Sequence, residues 1–239
     1  AAADLRYIAL SGLLGSLIPA FLFTLAETKI DGAFAGTLNS LTPIFVIIVA
    51  AFFFSKQITS QALKGILIAF IGSALVFYFN WSDHGRNSLG NVSFAWFCVL
   101  ATFFYGLNVN MVDKVMANTH PLAVAVIAFA SLVIPAFIAL FLSGYFSLPL
   151  SESKYIIATL ASVTLGIIGT TVASLLFYKL MQQAGYLFAS MVTYGIPFIA
   201  QFWGWVNGEK VDVFTLLGLL IILLGIYTAT KVKKTIVTD

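Results

Sequence analysis

Charged residues are so thinly and evenly placed along this chain that they divide it into long uncharged runs. Residues 155–178, between Lys154 and Lys179, and 213–230, between Asp212 and Lys231, hold no acidic or basic side chain. A helix rising 1.5 Å per residue crosses a hydrocarbon core of about 30 Å in such a run. The pattern predicts eight membrane-spanning helices, at roughly 7–26, 33–54, 64–81, 92–112, 121–143, 156–178, 185–206 and 213–230. Composition agrees: 61% of the 239 residues are hydrophobic and 9% charged, whereas a soluble domain is about a quarter charged.

A transmembrane β-barrel is the competing architecture, but its strands alternate polar and apolar over about ten residues. The runs "GLLIILLGIY" and "PLAVAVIAFASLVIPAFIALFL" do not alternate. The expected fold class is therefore an all-α integral membrane protein. Cys98 is the single cysteine, so no internal disulfide forms and a small buried hydrophobe is its expected role. The first residues, "AAADLRYIALSGLLG", lack an initiator Met and a basic leader, and their apolar run continues as a full span.

Orientation follows from the loops. With the tail "KVKKTIVTD" in the cytoplasm, Arg6, Lys56, Lys64, Lys114, Lys179, Lys231, Lys233 and Lys234 fall at cytoplasmic ends, against Lys29, Arg86, Lys154 and Lys210 outside. That distribution satisfies the positive-inside bias. It predicts a multi-pass membrane protein with its C-terminus cytoplasmic.

The chain also repeats itself. At an offset of 154 residues, Gly12 aligns with Gly166, Gly15 with Gly169, Phe23 with Phe177, Phe34 with Phe188, Ala35 with Ala189 and Pro43 with Pro197. After a one-residue slip, Gly65 aligns with Gly218 and Gly72 with Gly225. Glycines in register over three helices point to duplication. Two further spans precede the second copy, which makes the repeating unit five helices. An odd number of spans inserts the two copies in opposite orientations, the inverted-repeat plan of many secondary transporters. The expected organisation is 1–80 for the last three helices of the first unit, 81–91 for an outer linker, 92–230 for the second unit, and 231–239 for a basic tail. Eight spans of an expected ten are then visible, and the chain reads as an N-terminally truncated ten-helix protein or a shorter relative.

Four stretches carry a resemblance: "SGLLGSLIPAFLFTLAETKIDGAFAGTLNSLTP", its counterpart "TLGIIGTTVASLLFYKLMQQAGYLFASMVTYGIP", the "NGE" at Asn207–Glu209, and "LLGLLIILLGIY". Together they resemble the drug/metabolite transporter superfamily, specifically its EamA-type ten-helix exporters, over nearly the whole chain. Pro43 and Pro197 match the family proline, Gly208 and Glu209 its Gly-Glu pair, and Gly218 and Gly225 the glycines of its last helix. The first half departs from the pattern, with Ser55-Lys56 where Gly-Glu is usual. The resemblance implies a secondary transporter exporting small metabolites, most readily amino acids or related amphipathic compounds, by alternating access through a central cavity. It also implies a monomer, unless a partner supplies the two missing helices, with a small-molecule substrate and membrane lipid as its partners. The rival reading is a non-transporting membrane protein for lipid handling or assembly that retains the bundle.

A proline at 43 or 197 lacks an N–H and starts or bends a helix. Gly12 with Gly15, and Gly166 with Gly169, place small residues on one helix face, where close packing is the expectation. Asn39 and Ser40 precede the first proline as Thr193 and Tyr194 precede the second, at points where inverted-repeat transporters bind substrate. Asn39, Ser40 and Tyr194, with Tyr105, Asn108, Tyr178 and Gln201, form the candidate substrate cavity. No acidic or basic residue lies clearly at a hydrocarbon centre, so proton coupling lacks the usual intramembrane relay, and the route suits neutral, zwitterionic or amphipathic molecules. Enzymatic chemistry is not expected: His84 and His120 lack the ligand sets of catalytic zinc, and phosphate-binding and dinucleotide motifs are missing. No metal, cofactor or nucleic-acid partner is expected.

Overall fold

A computed structural model describes residues 2–30, 32–84, 92–115, 119–206 and 213–230. Among them the apolar runs form eight helical rods, since in hydrocarbon a backbone satisfies its own N–H and C=O groups by helical bonding. Helix α1 covers 2–27, α2 covers 32–54, α3 is Ser60–His84, α4 is Ala95–Val115 and α5 is Pro121–Leu142. Helices α6 (153–184), α7 (186–206) and α8 (Val213–Thr230) complete them. By length and apolarity six can cross a membrane: Leu5–Glu27, Phe34–Phe54, Ala95–Lys114, Pro121–Leu142, Ser153–Ala184 and Val213–Thr230. At the third and seventh predicted spans the apolar helical stretches among the described side chains are Ser60–Val76 and Tyr186–Ile199.

Four rods are irregular among the described residues, and the irregularities fall at positions 154 residues apart. In α1 the segment Leu13–Leu17 is π-helical, with the Ile18 N–H reaching the Leu13 carbonyl. In α6 the π-helical segment is Leu165–Val172, which contains 167–171, the same positions displaced by 154. Each holds one of the paired glycines, Gly15 and Gly169. Next, α2 breaks between Gly32–Asn39 and Thr42–Phe54, where the N–H groups of Ser40 and Leu41 reach the carbonyls of Thr37 and Leu38, both at 3.0 Å. Displaced by 154, residues 37–41 become Met191–Gly195, the 3-10 segment of α7. Proline accounts for this break: Pro197 cannot donate to the Thr193 carbonyl, and the Ile196 N–H takes that acceptor instead.

By contact, the chain divides into two units, residues 1–18 with 111–189 and residues 19–110 with 190–239. In the first, α1 packs on α5 at Gly12, where a methyl would stand 2.8 Å from the Ala128 carbonyl oxygen. Ile8, Val124, Ala125, Ala128 and Leu132 are buried around that contact. Gly166 differs from the packing expectation: nothing stands within 4 Å of its missing side chain, and Gly169 meets only Leu165 of its own helix. The reason is the environment of α6, where Leu160, Val163, Leu165, Ile167 and Ile168 are all exposed.

In the second unit α3 and α8 pack backbone to backbone. A methyl on Gly72 would stand 2.8 Å from the Gly218 carbonyl oxygen, and one on Gly225 would stand 2.6 Å from that of Gly65. Numbers rise along one helix as they fall along the other, so the pair is antiparallel. Phe79 stacks on Phe214 at 4.8 Å between ring centres. Helix α4 meets α2 at Gly106, where a methyl would contact the Phe45 backbone at 2.9 Å. Beside it Asn110 donates from Nδ2 to the carbonyls of Val46 and Gly106, both at 2.9 Å, and accepts from Lys56 Nζ at 3.3 Å. Cys98 is buried with Ala26, Ile30 and Ala35 under Phe23, Phe34, Phe94 and Phe97. Ser55 has φ 51° and is the non-glycine residue with positive φ among those described.

Candidate functional site

The second unit contains an open cavity of about 330 Å³. The last turns of α1 supply Ala20, Phe23, Thr24 and Glu27, spaced as one helical face. The first segment of α2 supplies Gly32, Gly36 and Asn39, and α4 supplies Tyr105. At Gly32 and Gly36 the α2 wall has no side chain, so the cavity meets backbone there. Phe23 and Tyr105 stack, with ring centres 6.3 Å apart and planes 26° from parallel. Asn39 Oδ1 accepts from the Thr42 hydroxyl at 3.2 Å, which leaves its Nδ2 donors uncommitted among the described residues.

Asn39 and Tyr105 are thus brought together, while the other sequence candidates are distributed differently. Ser40 is buried and bonded to Ser73 at 2.7 Å, a tie from α2 to α3. Tyr194, at the equivalent place in α7, is fully buried and donates its hydroxyl to the Ile66 carbonyl at 2.9 Å, a tie from α7 to the same helix. Asn108 is 5% exposed, and its Oδ1 has no partner among the described residues. The side chain of Gln201 and the residues Gly208 and Glu209 lie outside the described residues. Among the described residues no group of three His, Cys, Asp or Glu side chains could hold a metal ion.

Tyr178 belongs to the first unit, 3.5 Å from Ser11 Oγ. It lines a second cavity, of about 230 Å³, with Asp113, Val124, Met181 and Gln182. Displacing Thr24 and Glu27 of the first cavity by 154 gives Tyr178 and Met181, so equivalent faces of α1 and α6 each line a cavity. Sequence reasoning missed Phe23, Thr24 and Glu27. Counting charge assigns Glu27 to an outer loop, whereas the spacing 20, 23, 24, 27 already marks a single helical face.

Rods of this length and apolarity define an all-α multi-span membrane protein. The model of the EamA-like transporter family matches residues 2–78 and 92–230, and the chain belongs to that family. An uncharacterized transporter of Bacillus subtilis (strain 168), YxxF, is 27% identical over 207 residues, covering 86% of this chain and 63% of its own. An uncharacterized transporter of Archaeoglobus fulgidus is 34% identical over 73 residues, 30% of this chain and 26% of the relative. This chain thus spans under two thirds of the length of each relative. One crystal structure superposes with TM-score 0.69 at 18% identity, covering 94% of this chain and 76% of that one. At that identity the likeness is one of fold.

Proposed function

We propose that the chain is the greater part of a secondary transporter that exports small metabolites, amino acids or related amphipathic compounds, by alternating access. The observation that carries this reading is the broken helix α2, whose first segment lines an open cavity with Asn39, its Nδ2 donors uncommitted among the described residues. Interrupted helices beside polar cavities are where inverted-repeat transporters bind substrate. Asn39 and Tyr105 offer neutral hydrogen-bonding groups to such a molecule, and the 3-10 segment Met191–Gly195 of α7 is a natural hinge point.

The proposed architecture is a pair of inverted five-helix units, ten helices in the whole protein, acting as a monomer. Its support is the α3–α8 pair, the last helices of the two copies. Gly65 and Gly218 are equivalent by the repeat, as are Gly72 and Gly225, and Gly65 packs on Gly225 as Gly72 packs on Gly218. Such reciprocity is the signature of a two-fold relation. We place the protein in a bacterial inner membrane with its basic tail in the cytoplasm. An alkaline phosphatase fused after Asp239 would then be inactive, and an active fusion would refute that orientation.

The functional test is uptake of a panel of labelled amino acids by proteoliposomes of the full-length protein. Replacing Asn39 with Ala is expected to reduce uptake about tenfold while folding is retained, the loss of a hydrogen bond to a charged or polar ligand group. Uptake of no member of the panel would contradict the transporter reading. Uptake unchanged by Asn39→Ala would remove this cavity from the route.

A further inference from the structure

We infer that the cavity of the second unit carries a subsite for a primary ammonium group, built from the Glu27 carboxylate and the rings of Phe23 and Tyr105. The inference rests on the transporter reading only for the identity of the ligand as a transported substrate. Among the described residues the lining contains one carboxylate and no Lys, Arg or His, so the fixed charge they supply is negative. No ion pair to Glu27 occurs among the described residues, and the counter-charge is open to a ligand.

Aromatic geometry points to the same chemistry. Phe23 lies one helical turn before Glu27, and its ring stacks on that of Tyr105 with 6.3 Å between centres, both rings lining the cavity. Ring faces attract cations, and a carboxylate beside them supplies the full charge and hydrogen-bond acceptors. The Tyr105 hydroxyl offers a further acceptor to an ammonium's three donors. A volume of about 330 Å³ is at the small end of ligand cavities and suits an amine with a short side chain.

The fold does not itself demand a carboxylate at this position. The equivalent residue one repeat later, Met181, lines the other cavity with a thioether on a helix of the same kind. Glu27 also accepts no capping or tertiary bond from the described residues. Its charge is therefore available for recognition. The ligand class that follows is a primary amine or a zwitterion presenting its amino end, ahead of a carboxylate without an amine.

The test is calorimetric titration of full-length protein in nanodiscs with 2-phenylethylammonium chloride, against empty nanodiscs and against the neutral alcohol 3-phenylpropan-1-ol. Saturable binding of the ammonium is expected, with no saturable binding of the alcohol. Glu27→Gln is expected to weaken binding about tenfold or more, the loss of a charge-assisted contact, whereas Glu27→Asp keeps most of it and Phe23→Leu weakens it several-fold. Absence of saturable binding, equal binding of the alcohol, or equal binding by Glu27→Gln would each overturn the subsite. Binding is read without transport: Glu27-dependent binding beside an inert flux panel removes the transporter reading and keeps the subsite. Flux beside Glu27-independent binding removes the subsite alone.

Discussion

Replacing Gly72 with Ala tests whether backbone contact between α3 and α8 holds the second unit together. The added methyl would stand 2.7 Å from the Ile222 nitrogen and 2.8 Å from the Gly218 carbonyl oxygen, about a full ångström inside the separation at which such atoms attract. Both neighbours are backbone of a helix, so neither rotates away. The helices must part, and the loss spreads to Val76, Ile222 and the other groups buried along the seam. Overpacking of this kind costs about 1–3 kcal/mol, or roughly a 5- to 150-fold fall in the folded-to-unfolded ratio. Gly166→Ala is the matched control, since nothing stands within 4 Å of its missing side chain, and alanine gains up to about 1 kcal/mol of helix propensity there. Thermal unfolding in detergent, followed by size-exclusion of the surviving monodisperse fraction, should show a lower midpoint for Gly72→Ala and an unchanged or higher one for Gly166→Ala. Equal midpoints for Gly72→Ala and the wild type would refute the argument that contact distance at this seam sets stability.

Other perturbations follow from single contacts. Ser55→Gly should raise the melting midpoint, because a non-glycine residue at φ 51° gives up about 1–2 kcal/mol of left-handed strain, offset in part by about 0.5–1 kcal/mol of added unfolded-state entropy; a lower midpoint would show that the serine hydroxyl matters more than the backbone. Asn110→Leu should destabilise by about 1–3 kcal/mol, since it removes bonds to the Val46 and Gly106 carbonyls and to Lys56. Unchanged unfolding of that variant in the same assay would contradict the role of Asn110 as the tie between α4 and α2.

Much of this architecture is legible in the sequence because hydrocarbon imposes one rule, that backbone groups be satisfied within the segment. The apolar runs are helical for that reason, and six of these helices are long and apolar enough to cross a membrane. Pro43 and Pro197 likewise mark where α2 and α7 break, since a missing N–H has a fixed consequence for the preceding carbonyl. The π-helical segments are not legible: "LLGSL" and "LGIIGTTV" suit ordinary α-helix, and the registered glycines Gly15 and Gly169 are the one trace of them. Asn39 and Tyr105 could be singled out as polar groups in apolar runs. That Ser40 and Tyr194 bond to α3 could not, because a buried hydroxyl that meets a cavity and one that meets a neighbouring helix look alike in sequence. Glu27 was hidden by the opposite bias, since a charge at the end of an apolar run reads as loop even when its helical face continues.

Counterflow tests the central claim most directly. Proteoliposomes of the full-length protein, preloaded with an excess of an unlabelled amino acid that the uptake panel identifies, are diluted into a trace of the same labelled compound. Alternating access predicts transient accumulation of label above equilibrium, abolished in empty liposomes and reduced by Asn39→Ala, because one site returns loaded from either side. Label that only equilibrates, with no acceleration by the internal pool, would contradict alternating access through this cavity.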